Sequence, residues 1–283
     1  MIAAGVSALI ALTVMRVVAL SSAGYLRTEQ DALLRDQGAW VIDLLRVALQ
    51  QAGHVDASRS MPAAPARPPE GALSGLDDVI VPANTPELNG ARHGGVGSSD
   101  ALAIRFAGDL EGRVRNCAGL PVKPATTAAD DRGWSIFHVA TDRQGEPELR
   151  CKYRGESGWA SQAVAGGIES LQLLYGLDHD DDGLPNDFVT AARLQALDRS
   201  ADKGTGAIWT RVVAIHVALL LRSPQTVRAP QPETIALFGS DYARWHGAED
   251  PGSMLTANQL RPGRLYRQVD AVIFLGNSLR PWQ

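Results

Sequence analysis

The first fifty residues decide what this chain can become. Ile2 to Ala23 is almost wholly apolar, broken only by Ser7, Thr13, Arg16, Ser21 and Ser22. From Tyr25 to Ala52 there is no proline and the pattern turns amphipathic. Leu34, Val41, Leu45, Ala48 and Ala52 fall at spacings of seven, four, three and four, which puts them on one helical face. Arg27, Glu29, Asp31, Arg35, Asp36 and Asp43 interrupt that half. A single helix of about fifty residues is roughly 75 Å long. A compact domain of this size cannot bury both halves of such a rod. One half requires lipid or other copies of itself, and the other requires a globular partner.

The apolar half is long enough to cross a bilayer core of about 30 Å. Arg16 is its defect, because arginine in mid-membrane costs roughly 2.5–3.5 kcal/mol on insertion scales unless it snorkels to an interface. The main alternative is a cleaved signal peptide, with Ser21-Ser22-Ala23 as a small-residue cleavage site. Against it, no Lys or Arg precedes the apolar run, and the helical pattern continues past the site with Gly24 and Gly38 as its weak points.

A chain of 283 residues, 45% hydrophobic, holds one sizeable domain plus appendages. Its net charge of -4 gives it no electrostatic claim on nucleic acid. The two cysteines, Cys117 and Cys151, are either a disulfide or a pair of buried thiols. A bridge would close a loop of about 35 residues and contribute about 3–4 kcal/mol on the chain-entropy argument. A membrane-directed N-terminus favours the bridge, in an oxidising compartment such as the periplasm.

His54 to Ser99 is rich in Pro, Gly, Ala and Ser and reads as a long surface connection, with one short ordered piece at Leu76–Val81. Regular alternation then begins. Strands are predicted at Ala101–Ala107, Val114–Ala118, Trp134–Thr141, Glu148–Arg154 and Trp159–Ala163, an antiparallel meander with both cysteines on strands. A further strand starts at Ile168, with Glu169, Leu171, Leu173 and Tyr175 facing inward except at its start. Thr190–Leu197 is a short helix, Trp209–Ser223 the strongest strand, Pro230–Pro262 an irregular excursion and Tyr266–Leu275 the last strand.

One motif has metal-ligand spacing. Asp178, Asp180 and Asp182, followed by Gly183, match positions one, three, five and six of a calcium loop. Leu184 would offer its backbone carbonyl, and Asn186 or Asp187 a further oxygen. Position twelve is Val189 instead of a bidentate Glu, so the loop is not a full EF-hand. The competing reading is a solvated acidic turn. His54, His93, His138, His179, His216 and His246 show no ligand spacing. The glycine runs at Gly71–Gly75 and Gly94–Gly97 open no helix, so they are poor phosphate loops, and Ser98-Ser99-Asp100 has no paired base. No catalytic residue and no other cofactor site is predicted.

Taken in order, certain segments resemble a known family. They are the apolar helix running into Tyr25-Leu26-Arg27-Thr28-Glu29-Gln30, the close of the amphipathic stretch at Ala48–His54, then Ser99–Phe106, Asn116-Cys117-Ala118-Gly119, Leu149-Arg150-Cys151, Gly167–Asp178 and Trp209–Ser223. This series resembles the PilW minor pilins of the type IV pilus. The resemblance implies an α+β fold with a long N-terminal helix on an antiparallel β-sheet, its apolar half protruding. It divides the chain into an apolar transmembrane or pilus-core helix at 1–24, an amphipathic helix at 25–53, a connection at 54–99 and a β-rich domain at 100–283. It implies a non-catalytic role in priming and assembling a pilus from the inner membrane of a Gram-negative bacterium, the globular domain in the periplasm. The implied partners are other minor pilins and the major pilin, with no nucleic acid and no small-molecule substrate. The family's basic leader and Gly-Phe-Thr-Leu-Ile-Glu motif do not appear in this sequence, and counting back from Tyr25 places the glutamate at or just before Met1. Two rivals stand beside this reading: a minor pseudopilin of type II secretion, and an exported enzyme with a cleaved signal.

Overall fold

The computed structural model describes residues 2–54, 71–124, 133–200, 208–227 and 231–276, apart from the side chains of residues 2–9, 19, 20 and 23. One helix, α1, runs unbroken from Ile2 to Gln50. It stops at Gly53, which takes the left-handed φ of 67° that a side chain would resist. The Gly53 N–H then donates to the Arg105 carbonyl at 2.9 Å, so the helix exit is stitched to the sheet below.

The strands form two main antiparallel sheets. The first has five strands in the order β1 (Leu73–Leu76), β4 (Ala101–Phe106), β5 (Gly133–Thr141), β6 (Pro147–Gly155) and β7 (Gly158–Gly166). The second has four, in the order β13 (Tyr266–Phe274), β10 (Val212–Arg222), β8 (Ile168–Leu177) and β9 (Asp187–Val189). Two small antiparallel pairs complete the set among the described residues: β2 (Val79–Ile80) with β3 (Arg92–His93), and β11 (Thr234–Ala236) with β12 (Met254–Thr256). Two short helices lie between strands, α2 (Ala191–Ser200) and α3 (Gly239–His246). The architecture is α+β, as the helical and alternating periodicities imply.

The second half of α1 lies against β13 and β10. Leu34, Val41, Ile42, Leu45, Ala48, Leu49 and Ala52 are buried there. Gly38, a weak point of the helix in sequence terms, is its point of closest approach. A Cβ at Gly38 would lie 2.7 Å from Val269 Cγ2 and 3.4 Å from Leu221 Cδ1. Beside this contact Asp31 pairs with Arg267 at 2.7 Å and with Arg35 one turn along. The hydrogen bond from Arg35, with help from Arg267, holds the Asp31 carboxyl below its usual range.

The two sheets are joined where β4 begins. Asp100 donates its N–H to the Leu171 carbonyl at 2.8 Å, and its carboxylate accepts from Leu173 N at 2.8 Å and Asp78 N at 3.1 Å. Ser99 Oγ accepts from Leu171 N at 3.2 Å. These bonds satisfy backbone groups of β8 that have no strand beside them. Burial, with Asp77 and Asp250 nearby, pushes the Asp100 carboxyl well up.

Five sequence expectations are corrected. Strand β8 is buried along its whole length, on both faces. The turn Val96–Ser98 covers its Ser170 and Gln172 side, with Ser170 Oγ donating to the Gly97 carbonyl at 3.1 Å and Gln172 Nε2 to that of Ser98 at 2.7 Å. A Cβ at Gly97 would meet the Glu169 carbonyl at 2.3 Å, so this glycine serves close packing. Glu169, at the inward-facing start of β8, is neutralised by Arg222 at 2.7 Å.

The predicted strand at Val114–Ala118 is instead a turn with a single bridge between Arg115 and Pro121. Asp109 Oδ1 accepts from Arg113 and Val114 N–H, and Asn116 Oδ1 from Ala118 and Leu120 N–H, so side chains take donors a strand would use. The excursion at Pro230–Pro262 contains β11, α3 and β12, and its Leu237, Leu255 and Leu260 pack on Ala218 and Leu220 of β10. Within the predicted connection, β1 is an integral strand of the five-stranded sheet, and the ordered pieces are Leu73–Leu76 and Val79–Ile80 in place of Leu76–Val81. Residues 55–70 of that connection lie outside the described residues. Finally, Trp209 precedes β10 in a 3-10 turn, where its ring meets Tyr175 edge-on at 5.0 Å.

Candidate functional site

Two regions carry features that the fold alone does not require. The first is the outer flank of α1. Leu26, Leu33, Trp40 and Val47 are 41%, 50%, 50% and 57% exposed, and each is seven residues after the last. Seven residues drift by only about 20° on a straight helix, so the four form one stripe. Leu33, Trp40 and Val47 each sit one position before a buried residue, Leu34, Val41 and Ala48. The stripe therefore lies about 100° round the helix from the face that packs on the sheet. It leads into the first half, where Ile10, Leu12, Val14, Met15, Val17 and Val18 are all more than half exposed. Sequence reasoning found the buried row and missed this parallel one, although the same seven-residue spacing marks both. Heptad spacing of large apolar side chains is the geometry by which one helix receives another.

The second region is the acidic loop between β8 and β9. Asp178, Asp180 and Asp182 each bring one carboxylate oxygen within 4.8 Å of the others. Oxygens that share a calcium ion at 2.3–2.6 Å lie no more than about 5 Å apart, so the spacing suits that ion. The loop curls because Asp181 and Gly183 adopt left-handed φ of 66° and 84°. Buried Asp178 accepts from Asp181 N at 2.6 Å and Gly183 N at 3.0 Å. Arg211 steadies the carbonyls of Asp178 and His179 at 3.3 and 3.2 Å.

The other residues of the predicted ligand set hydrogen-bond within the loop. Leu184 N–H donates to Asp182 Oδ1 at 2.8 Å. Asn186 Oδ1 accepts from His179 N at 2.6 Å, and Asp187 Oδ1 meets His179 Nε2 at 3.0 Å. Asn186 and Asp187 therefore hold His179, and among the described His, Cys, Asp and Glu side chains of the loop Asp178, Asp180 and Asp182 converge.

Cys117 and Cys151 are bridged, with Cα atoms 5.8 Å apart. Cys151 sits in β6, and Cys117 lies in the turn whose N–H donates to Ser135 Oγ at 2.9 Å. The bridge pins that turn to the five-stranded sheet. Among the described residues no helix is long and apolar enough to cross a membrane. The transmembrane reading of Ile2–Ala23 rests in part on side chains at 2–9, 19, 20 and 23, outside those described.

The β domain is thus continuous with a long helix that displays apolar side chains. The model of the family described as Type IV Pilus-assembly protein W, PilW, matches residues 136–277. The chain belongs to that family. The matched region runs from β5 through β13, and α1 precedes it. No curated protein matches the chain. Among solved structures the chain is similar to a type IV-like pilin from Thermus thermophilus, 15% identical over 87% of this chain and 98% of that one, with a TM-score of 0.41.

Proposed function

We propose that this chain is a minor pilin that helps prime and assemble a type IV pilus, with a structural role. Before assembly the apolar segment 1–24 is seated in the inner membrane of a Gram-negative bacterium and the β domain stands in the periplasm. The observation that carries the reading is the outer stripe of Leu26, Leu33, Trp40 and Val47, on the helix that also exposes Ile10, Leu12, Val14, Met15, Val17 and Val18. Monomeric proteins rarely leave such a contiguous surface to water. Its partners are the helices of other minor pilins and of the major pilin.

The test is complementation of cells that lack this chain. The double variant Trp40→Glu, Val47→Glu places two charges on the stripe and leaves the buried row untouched. It is expected to reduce surface fibres to the number seen without the chain, while its β domain melts at the wild-type temperature. Normal fibre numbers with the variant, or loss of a secretion activity with fibres intact, would reject the pilus reading.

We propose also that the acidic loop binds Ca²⁺ weakly and stabilises the domain. Without a bidentate Glu the affinity falls in the extracellular range of about 10⁻⁴–10⁻³ M. At ten times the dissociation constant, binding adds about 1.4 kcal/mol to the folded state. The melting temperature of the full chain in detergent should then rise by a few degrees in millimolar calcium relative to chelator. Asp180→Ala or Asp182→Ala should abolish the rise and leave the calcium-free melting point nearly unchanged. Equal melting of the unmutated protein in both conditions would leave only the solvated turn.

A further inference from the structure

A cleft of about 400 Å³ opens between α3 and the segment that leads from β9 into α2. That volume lies in the range that holds small ligands. Its walls carry the rings of Phe188, Tyr242 and His246. Tyr242 and His246 are one helical turn apart with ring centres 4.9 Å apart, and Phe238 backs Tyr242 at 5.2 Å. Asp250 also lines the cleft and is 6% exposed. Its Oδ2 accepts the Tyr242 hydroxyl at 3.0 Å.

No Lys or Arg pairs with Asp250 among the described residues. Other buried acids of the domain are matched: Glu169 by Arg222, and Asp100 by two backbone N–H groups. Desolvation lifts the Asp250 carboxyl to about 6, opposed by the Tyr242 hydroxyl and by the charge of His246 and reinforced by Asp77. Among the described residues no permanent cation lies against this buried carboxylate, whose charged neighbour is His246, and the rings beside it have faces that attract cations.

We propose that this cleft binds an alkylammonium group, seated between the Asp250 carboxylate and the rings of Tyr242 and His246. Glu249, exposed on the same rim, adds negative charge to the entrance. Arg193 lines the α2 side, beyond ion-pair reach of Asp250. The cation comes either from a free amine or from a lysine side chain of another protein.

The groups that face Asp250 set the pH dependence. They are Tyr242 and His246 of α3, Glu249 just after it, Asp77 and Asp100 from the β1 and β4 side, and Arg193 of α2. The Asp250 carboxyl is raised in the folded state, so the stability it contributes is present at low pH and lost as pH rises through about 6. A bound cation favours the ionised form and restores that loss above the same pH.

The test is ligand-observed NMR titration of the full chain in detergent with n-butylammonium, neutral 1-butanol and an Nα-acetyl-lysine amide. Butylammonium is expected to bind about tenfold more tightly at pH 7.5 than at pH 5, following ionisation of a carboxyl at about 6. Asp250→Asn, close to isosteric, should abolish binding at both pH values. Tyr242→Phe should keep binding but move its midpoint to higher pH, because it removes a donor that favours the carboxylate. Comparable affinity for the lysine amide assigns the cation to a protein side chain, and binding of butylammonium alone assigns it to a free amine. Equal binding of butylammonium and 1-butanol, no binding of either cation, or a midpoint unmoved by Tyr242→Phe would overturn the proposal.

Discussion

Replacing both Cys117 and Cys151 with alanine is expected to lower the free energy of unfolding by about 3–4 kcal/mol. The bridge spans 34 residues of sequence. Opening it returns loop freedom to the unfolded chain, and the chain-entropy relation gives that magnitude for a loop of this length. A smaller loss comes from packing, since Cys151 is fully buried and belongs to the main core with Phe137 and Leu149. The turn around Cys117 has other ties, through Ser135 Oγ and the Asn116 side-chain oxygen, so it should loosen without unravelling the sheet. Urea denaturation of the full chain in detergent reads the effect as a lower midpoint. An unchanged midpoint would mean the bridge contributes nothing to the folded balance.

Leu45→Ala should cost about 2–5 kcal/mol, whereas Val47→Ala, two residues away, should change stability by less than about 0.5 kcal/mol. Leu45 is fully buried in the core that joins α1 to the sheets, and truncating it leaves a cavity that the β domain cannot close easily. Val47 is 57% exposed and meets no core. Alanine is also the better helix former of the two. Thermal melting followed by circular dichroism separates them: a large fall for Leu45→Ala and almost none for Val47→Ala. Similar falls for both would place Val47 in an intramolecular contact. The pair matters for function because a side chain that is irrelevant to folding but large, apolar and regularly spaced is held ready for something else.

What could be read from the sequence was local. The α1 helix follows from spacing and the absence of proline over its length, and β5, β6 and β13 from alternation between turn residues. The bridge between Cys117 and Cys151 needed only an even count and an oxidising context. What could not be read depends on partners distant in sequence. Gly97 gives no local sign of the Glu169 carbonyl it must admit, and Gly38 reads as a helix weakness until Val269 is placed against it. Leu237, Leu255 and Leu260 are too widely spaced among polar residues to declare a covering layer for β10. In the acidic loop, alternation brought three aspartates together, but the hold of Asn186 and Asp187 on His179 emerged only once β9 turned back beside β8. The outer stripe was legible and overlooked, because the buried row at the same spacing already explained the helix.

The central claim is that α1 presents Trp40 and Val47 to the helix of another pilus subunit. Site-specific photocrosslinking in cells that assemble pili measures this directly, with the crosslinker placed in turn at Trp40, Val47 and, on another side of the same helix, Arg35. Crosslinks from positions 40 and 47 into the N-terminal helix of another pilin, and few from position 35, are the expected result. Absence of crosslinks from 40 and 47, equal yields from all three positions, or products formed only with components of a secretion apparatus would contradict it.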